Sequence, residues 1–238
     1  MSRFVYRGRP KVIQQIPKKI ANKSQIVENC GFVILSSRPI SNTKSLGCPL
    51  VNNYFGTDII DFHLDIIKMV CKNPEIVVIG GHDIKKILKH SRRDEYTVVE
   101  NVLHEMTNTA EDLKIGLNAT RSTNIVIIDG SFIPSLDSFK LVFENRNSSS
   151  ILYSKRDTDI IGCELDNSKT KVSYFSFKSK NKIKGMNFLC QLDTLRMRKK
   201  VIGSTFNNNK FDFELYDETT MLALEDNSTS VRIDEVTE

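Results

Sequence analysis

No stretch of this chain holds an apolar run near the roughly 20 residues that a membrane-crossing helix needs, so no membrane association is expected. The opening residues, MSRFVYRGRPK, are basic, broken by Gly8 and Pro10, and lack the apolar core of a secretion signal. Cysteine is sparse: Cys30, Cys48, Cys71, Cys163 and Cys190 are odd in number, scattered, and never spaced Cys-x-x-Cys. That pattern argues against a disulfide framework and against a thiolate metal site. A reducing, cytoplasmic setting is the expectation. The four histidines, His63, His82, His90 and His104, show no metal-ligand spacing. No Ser/His/Asp set can be assembled, and no internal repeat is visible.

What is present is an ordinary globular composition, 39% hydrophobic and 26% charged over 238 residues, enough chain to bury a sizeable core. The net charge of +5 hides an asymmetry. Residues 1–24 carry Arg3, Arg7, Arg9, Lys11, Lys18, Lys19 and Lys23 with no acid, whereas residues 211–238 carry nine acids against one base, Arg232. The organisation expected is a basic extended arm over residues 1–28 and an α/β domain over residues 29–238. The arm suits an acidic surface, either a partner protein or nucleic acid; a solvated leader is the plainer alternative.

The domain centres on Asn124 to Ser135, NIVIIDGSFIPS. Ile125 to Ile128 has no polar face, so it suits a parallel strand covered on both sides, and it ends on the carboxylate of Asp129. The crevice beyond strand C-termini is where open α/β sheets bind ligands. Gly31 to Leu35 and Ile76 to Ile79 read as two more buried strands, and Thr97 to Val99 as a brief one. Asp58 to Val70 reads as an amphipathic helix, Ile84 to His90 as a short one. Thr109 and Asp112 suggest an acidic capping box opening another. Alternation of strand and helix predicts a Rossmann-like, mainly parallel sheet with helices on both faces. Beyond Ser135, Ile151 to Tyr153, Ile160 to Leu165 and Val172 to Phe177 predict short antiparallel strands, with Tyr174, Phe175 and Phe177 in the core. Asn187 to Cys190 suggests a strand and Leu192 to Met197 a helix. Phe211 to Leu224 reads as a helix or helix pair, and Ser230 to Ile233 as a last strand. Asp157-Thr-Asp159 reads as a solvated turn.

These pieces, in this order, resemble the sugar-nucleotidyltransferases, the GT-A enzymes that join an NTP to a sugar phosphate or similar phosphomonoester. Phe32-Val-Ile-Leu-Ser-Ser-Arg resembles the family's first strand and loop, with Lys44-Ser-Leu in place of its Lys-Pro-Leu. Glu100-Asn101 and Thr107-Asn-Thr resemble its Asn and Thr-Asn segments. Ile128-Asp-Gly-Ser is similar to its Asp-Gly-Asp strand end, and Arg232-Ile-Asp-Glu to its terminal Glu-Ile-Asp. The resemblance implies Arg38 and Lys44 on the phosphates. It implies Ser36, Ser37, Asn108 and Lys178 around the ligands, and Asp129 and Asp234 on Mg²⁺, whose hard charge suits oxygen ligands. Read as structure alone, the two aspartates are a turn residue and a loop acid.

Two departures bear on activity. The loop from Ser36 to Lys44 contains no glycine, and Pro39 has no N–H to offer a phosphate. Ser131 stands where the family has its second Asp. The resemblance implies a CDP-, UDP-, GDP- or dTDP-linked product; the departures leave a second reading, a silent fold that serves in assembly through its basic arm.

Overall fold

The computed structural model describes residues 26–39, 47–54, 56–155, 161–204, 211–216, 219–228 and 231–232. The basic arm's residues 1–25, Lys44, Asp157, Asp159 and Asp234 lie outside them.

Four parallel strands make the first half of one sheet: β1 (Val27–Ser36), β2 (Cys71–Gly80), β3 (Thr97–Glu100) and β4 (Ile125–Asp129). β1 lies in the middle, with Leu35 opposite both Ile79 and Asp129. Successive side chains alternate faces. Phe32, Ile34, Val126 and Ile128 enter one core, while Val33, Leu35, Ile125 and Ile127 enter the other. Both faces are covered, which is why these strands read as unbroken apolar runs. Each such buried side chain contributes about 1.5–3 kcal/mol.

Helix α1 (Ile59–Val70) turns Ile59, Ile60, Leu64 and Ile67 onto the first core. After a short α2 (Ile84–Leu88), α3 (Thr109–Ala119) packs Ala110, Leu113 and Leu117 onto the second. A Cβ built on Gly116 of α3 would stand 2.3 Å from Val33 Cγ1, so only glycine permits this approach of helix to sheet. A further helix, α4 (Leu136–Glu144), was not foreseen; Ser135 caps it, accepting from Ser138 N–H at 3.0 Å, and Phe139, Val142 and Phe143 are buried.

The second half is mixed. β5 (Ser150–Ser154), β6 (Gly162–Leu165), β7 (Val172–Ser176) and β8 (Lys182–Leu189) follow, then α5 (Gln191–Val201) and β9 (Leu222–Glu225). The order across the sheet is β7-β6-β8-β4-β1-β2-β3, with β5 also on β8 and β9 parallel to β5. β8 runs antiparallel to β4 and forms the seam between the halves. Val231–Arg232 pairs antiparallel with Ile133 and Phe132, just past Asp129.

The helix or helix pair expected over Phe211 to Leu224 is corrected. A single 3-10 turn, Asp212–Tyr216, buries Leu215 and Tyr216, and Leu222 onward pairs with Ser150 as β9. Ala223 meets the second core and Leu224 the first, the alternation of faces that a strand gives. The capping box is corrected as well: Asn108 is the N-cap of α3, and the carboxylate of Asp112 bonds elsewhere.

Candidate active site

Beyond the C-terminal ends of β1 and β4 lies a cavity of about 380 Å³. Leu35, Ile127 and Ile183 give it an apolar floor. One wall is the segment after β1, where Ser36, Ser37, Arg38 and Pro39 all face it. Ser37 Oγ donates to Asp112 Oδ2 at 2.6 Å, and Asn101 Nδ2 donates to Asp112 Oδ1 at 2.7 Å and to Thr107 Oγ1 at 3.0 Å. The Asn and Thr segments thus tie the first loop to the start of α3. Burial pushes the Asp112 carboxyl up, against the pull of Ser37, Asn101 and Arg38.

Arg38 is half-buried, and its Nε and Nη2 are shut from solvent without a hydrogen-bond partner among the described residues. Burial lowers its pKa, with Asp112 opposing. Buried polar groups are normally paired, so Nε and Nη2 are donors with no acceptor among the described residues.

Asp129 and Ser131 meet at the cavity too, but as a turn: Ser131 N–H and Oγ both donate to Asp129 Oδ1, at 2.9 and 2.8 Å. Opposite, β8 slips register against β5 between Ile183 and Asn187. Such bulges re-aim side chains and gather near functional sites. Gly185 at the slip lies so close that an added Cβ would stand 2.6 Å from Phe132 Cβ and 3.0 Å from Asp129 Cβ. Lys184 beside it is buried on the cavity wall and donates to Asp226 Oδ2 at 3.1 Å and to the Ser228 carbonyl at 3.1 Å. Burial alone would raise the Asp226 carboxyl; Ser228, Ser138 and Lys184 outweigh it and hold it low.

Asp212 completes the rim. Thr109 Oγ1 donates to its Oδ1 at 3.0 Å. Burial first, then the charge of Asp129, pushes its carboxyl up to about 6. On the opposite side of the sheet, His63 is wholly buried on α1, and burial lowers it to about 4 against the opposing pull of Gly130 and Asp129.

The structure therefore brings together Ser36, Ser37, Arg38, Asp129 and Ser131. Asn108 caps α3, its Oδ1 accepting from Thr109 N–H at 2.9 Å, and is not among the cavity's lining residues; Lys178 is exposed on the turn after β7 and does not line it either. Sequence reasoning missed Lys184, Asn187 and Asp212. Lys184 had a signal, a lysine next to glycine inside an apolar strand; Asp212 had only its place between Phe211 and Phe213.

No family model matches the sequence, and no curated protein matches it. Solved structures do match. The inositol-1-phosphate CTP transferase from T. maritima superposes with a TM-score of 0.65 at 11% identity, over 87% of this chain and 89% of that one. The CTP:phosphocholine cytidylyltransferase from Streptococcus pneumoniae gives 0.64 at 13%, over 87% and 94%. A UDP-glucose pyrophosphorylase complexed with UDP-glucose gives 0.63 at 10%, over 88% and 94%. This is a divergent nucleotidyltransferase-like fold. Similarity this low in sequence carries the architecture alone.

Among the described residues, one group outside that cavity could hold a metal ion: ligand atoms of Asp58, Asp61 and His90 lie within 4.8 Å of one another. His90 Nε2 stands 3.5 Å from Asp61 Oδ1 and 3.9 Å from Asp58 Oδ2. However, His90 Nδ1 accepts from Arg92 N–H at 3.3 Å, which leaves the neutral ring's proton on Nε2, facing the carboxylates. Arg92 Nη1 also sits 3.3 Å from Asp61. The chain's own Arg92 guanidinium and the His90 ring already engage these carboxylates. No described helix is long and apolar enough to cross a membrane.

Proposed function

We propose that the protein transfers a nucleotidyl group from an NTP to a phosphomonoester. One observation carries the reading: Arg38, half-buried on the wall of a cavity beyond the strand ends, has no hydrogen-bond partner for Nε or Nη2 among the described residues. A planar fork of donors in that setting matches a phosphate oxygen pair. In the reaction, an oxygen of the acceptor's phosphate bonds to the α-phosphorus of the NTP. The bond from that phosphorus to the β-bridging oxygen breaks, and pyrophosphate departs with the electron pair. Two anions must approach each other, so positive charge and fixed donors matter more than a base.

Arg38 takes the phosphates, joined by Lys44, while Ser36 and Ser37 shape the loop. Asp129 and Asp234 are proposed as the carboxylates for Mg²⁺. The described donors fit a hard cation: the Asp129 carboxylate and the Ser131 hydroxyl stand together on the cavity wall. When bound, the ion neutralises phosphate charge. Asp112 does not touch substrate in this scheme; it positions Ser37 and, through it, the loop.

A thermal-shift screen of the four NTPs with Mg²⁺ tests this. One nucleotide should raise Tm, since a ligand at 100 times its Kd adds about 2.7 kcal/mol, and Arg38→Ala should remove most of the shift. No shift with any NTP would instead support the fold without the reaction, leaving basic residues 1–24 to bind an acidic partner.

A further inference from the structure

Another cavity, of about 760 Å³, opens where β1 begins and β8 ends, at the other end of the strands from the candidate active site. Val27 of β1, Phe143 of α4 and Phe188 of β8 line it and are buried. Leu192 and Leu195 of α5 line it too, yet they are 56% and 49% exposed. Helix α5 thus carries two apolar faces. Met197 and Val201 enter the second core, while Leu192 and Leu195, three residues apart and so neighbours on the helix surface, stand open to solvent. Tyr174 and Phe177, expected in the core, are exposed as well, but on an edge hairpin, where Phe175 alone of the three packs against a core. Leu192 and Leu195 instead carry a buried apolar floor out to the surface, which makes a groove and not a scatter of single leucines.

The chain outside the described residues joins the fold at this groove. Residues 1–25 lead into Ile26 and then Val27, which is part of the groove wall. That segment is basic, but it also holds Phe4, Val5, Tyr6, Val12, Ile13 and Ile16. Nine residues, 17–25, join Ile16 to Ile26. At about 3.3 Å each they span roughly 30 Å, enough for Ile16 to return to the groove beside Val27. A tethered segment also has an effective concentration on the order of millimolar, which a second copy of the chain in dilute solution does not reach. We propose that Val12, Ile13 and Ile16 dock in this groove of their own chain and cover Leu192 and Leu195. The arm is then held by its apolar residues, with its bases left for other contacts. Ser36, Arg38 and Asp129 stand at the opposite strand ends, so the docking holds whether or not the transferase reading does.

Cys190 can report on the groove, since it lines it and is partly exposed, whereas Cys30, Cys48, Cys71 and Cys163 are buried. Its reaction with dithiobis(nitrobenzoate) is followed in the full chain, with Cys190→Ser assigning the signal. Val12→Asp, Ile13→Asp and Ile16→Asp together, all outside the described fold, should free the arm and speed the reaction about tenfold. Leu192→Asp with Leu195→Asp, both at exposed positions, should do the same from the groove's side. Acceleration by both variants, independent of protein concentration, is the expected result. Equal rates in the parent and the arm variant overturn the proposal, whether fast or slow. Acceleration by the groove variant alone also overturns it, because the change would be local to α5. So does a parent whose thiol quickens on dilution, since a second copy would then be the cover.

Discussion

The two halves of the sheet meet at the β4–β8 pairing and bury their strands by opposite means. On the parallel side, β1, β2 and β4 send apolar side chains to both faces, and Val33, Ile34, Val78 and Val126 have no exposed surface at all. On the antiparallel side, β8 carries Lys184 and Asn187 inward and slips its register to do so. The dry half fixes where Asp129 ends; the polar half decides what stands opposite it. A packed parallel sheet is hard to vary without leaving a cavity. Bulges and turns around β6, β7 and β8 can change while the frame stays. The difference implies that the antiparallel side tolerates change more readily than the parallel one.

The largest test of that contrast is Lys184→Met. Lys184 and Asp226 are 4% and 3% exposed as side chains, and removing one member of a buried pair costs about 3–5 kcal/mol because the other charge is stranded. Urea denaturation should show that loss, and adding Asp226→Leu should recover most of it. A cost under about 1 kcal/mol for Lys184→Met would mean the antiparallel half does not depend on the pair.

The next test sits in the dry half. His63, with no exposed surface, is held near 4 in the fold against 6.5 in the open chain. Its folded value is depressed, so the unfolded chain binds the extra proton between those limits. Stability should therefore be full above pH 6.5 and fall as pH drops towards 4, by about 3 kcal/mol. In His63→Leu, denaturation midpoints across that range should lose most of this acid slope. An unchanged slope would place the acid sensitivity elsewhere.

The same contrast explains what could be read in advance. β1, α1, β2, α3 and β4 follow from uninterrupted apolar runs and helical spacing, signals that survive because their faces are wholly buried. The placement of Ser36, Ser37, Arg38 and Asp129 at one mouth follows from strand ends meeting. Lys184, Asn187 and Asp212 were not legible, because their roles come from a register slip and a 3-10 turn that no periodicity records. Helix α4 left a trace, Ser135 behind Pro134 with apolar Phe139, Val142 and Phe143, but it is short. The rings of Tyr174 and Phe177 misled for a physical reason: alternation assigns residues to faces, and at an edge hairpin neither face need be covered.

The smallest expected effect runs the other way in pH. Asp212 stands near 6 in the fold against 3.8 in the open chain, raised by burial and by Asp129. A carboxyl with a raised folded value contributes stability fully below its unfolded pKa and loses it as pH climbs through about 6. At pH 7 the ionised group is a burden, so Asp212→Asn should be more stable than the parent by on the order of 1 kcal/mol after solvent screening. The amide oxygen can still accept from Thr109, so the 3-10 turn keeps its contact with α3. The gain should fade below pH 4, where the parent's carboxyl is protonated in both states. Thermal melts of the two single variants should then tilt in opposite directions over the same range, His63→Leu removing a loss on acidification and Asp212→Asn removing a relief. An Asp212→Asn protein no more stable than the parent at pH 7 would mean that the cavity wall bears no such charge strain, and that Asp129 and Asp212 do not share one field.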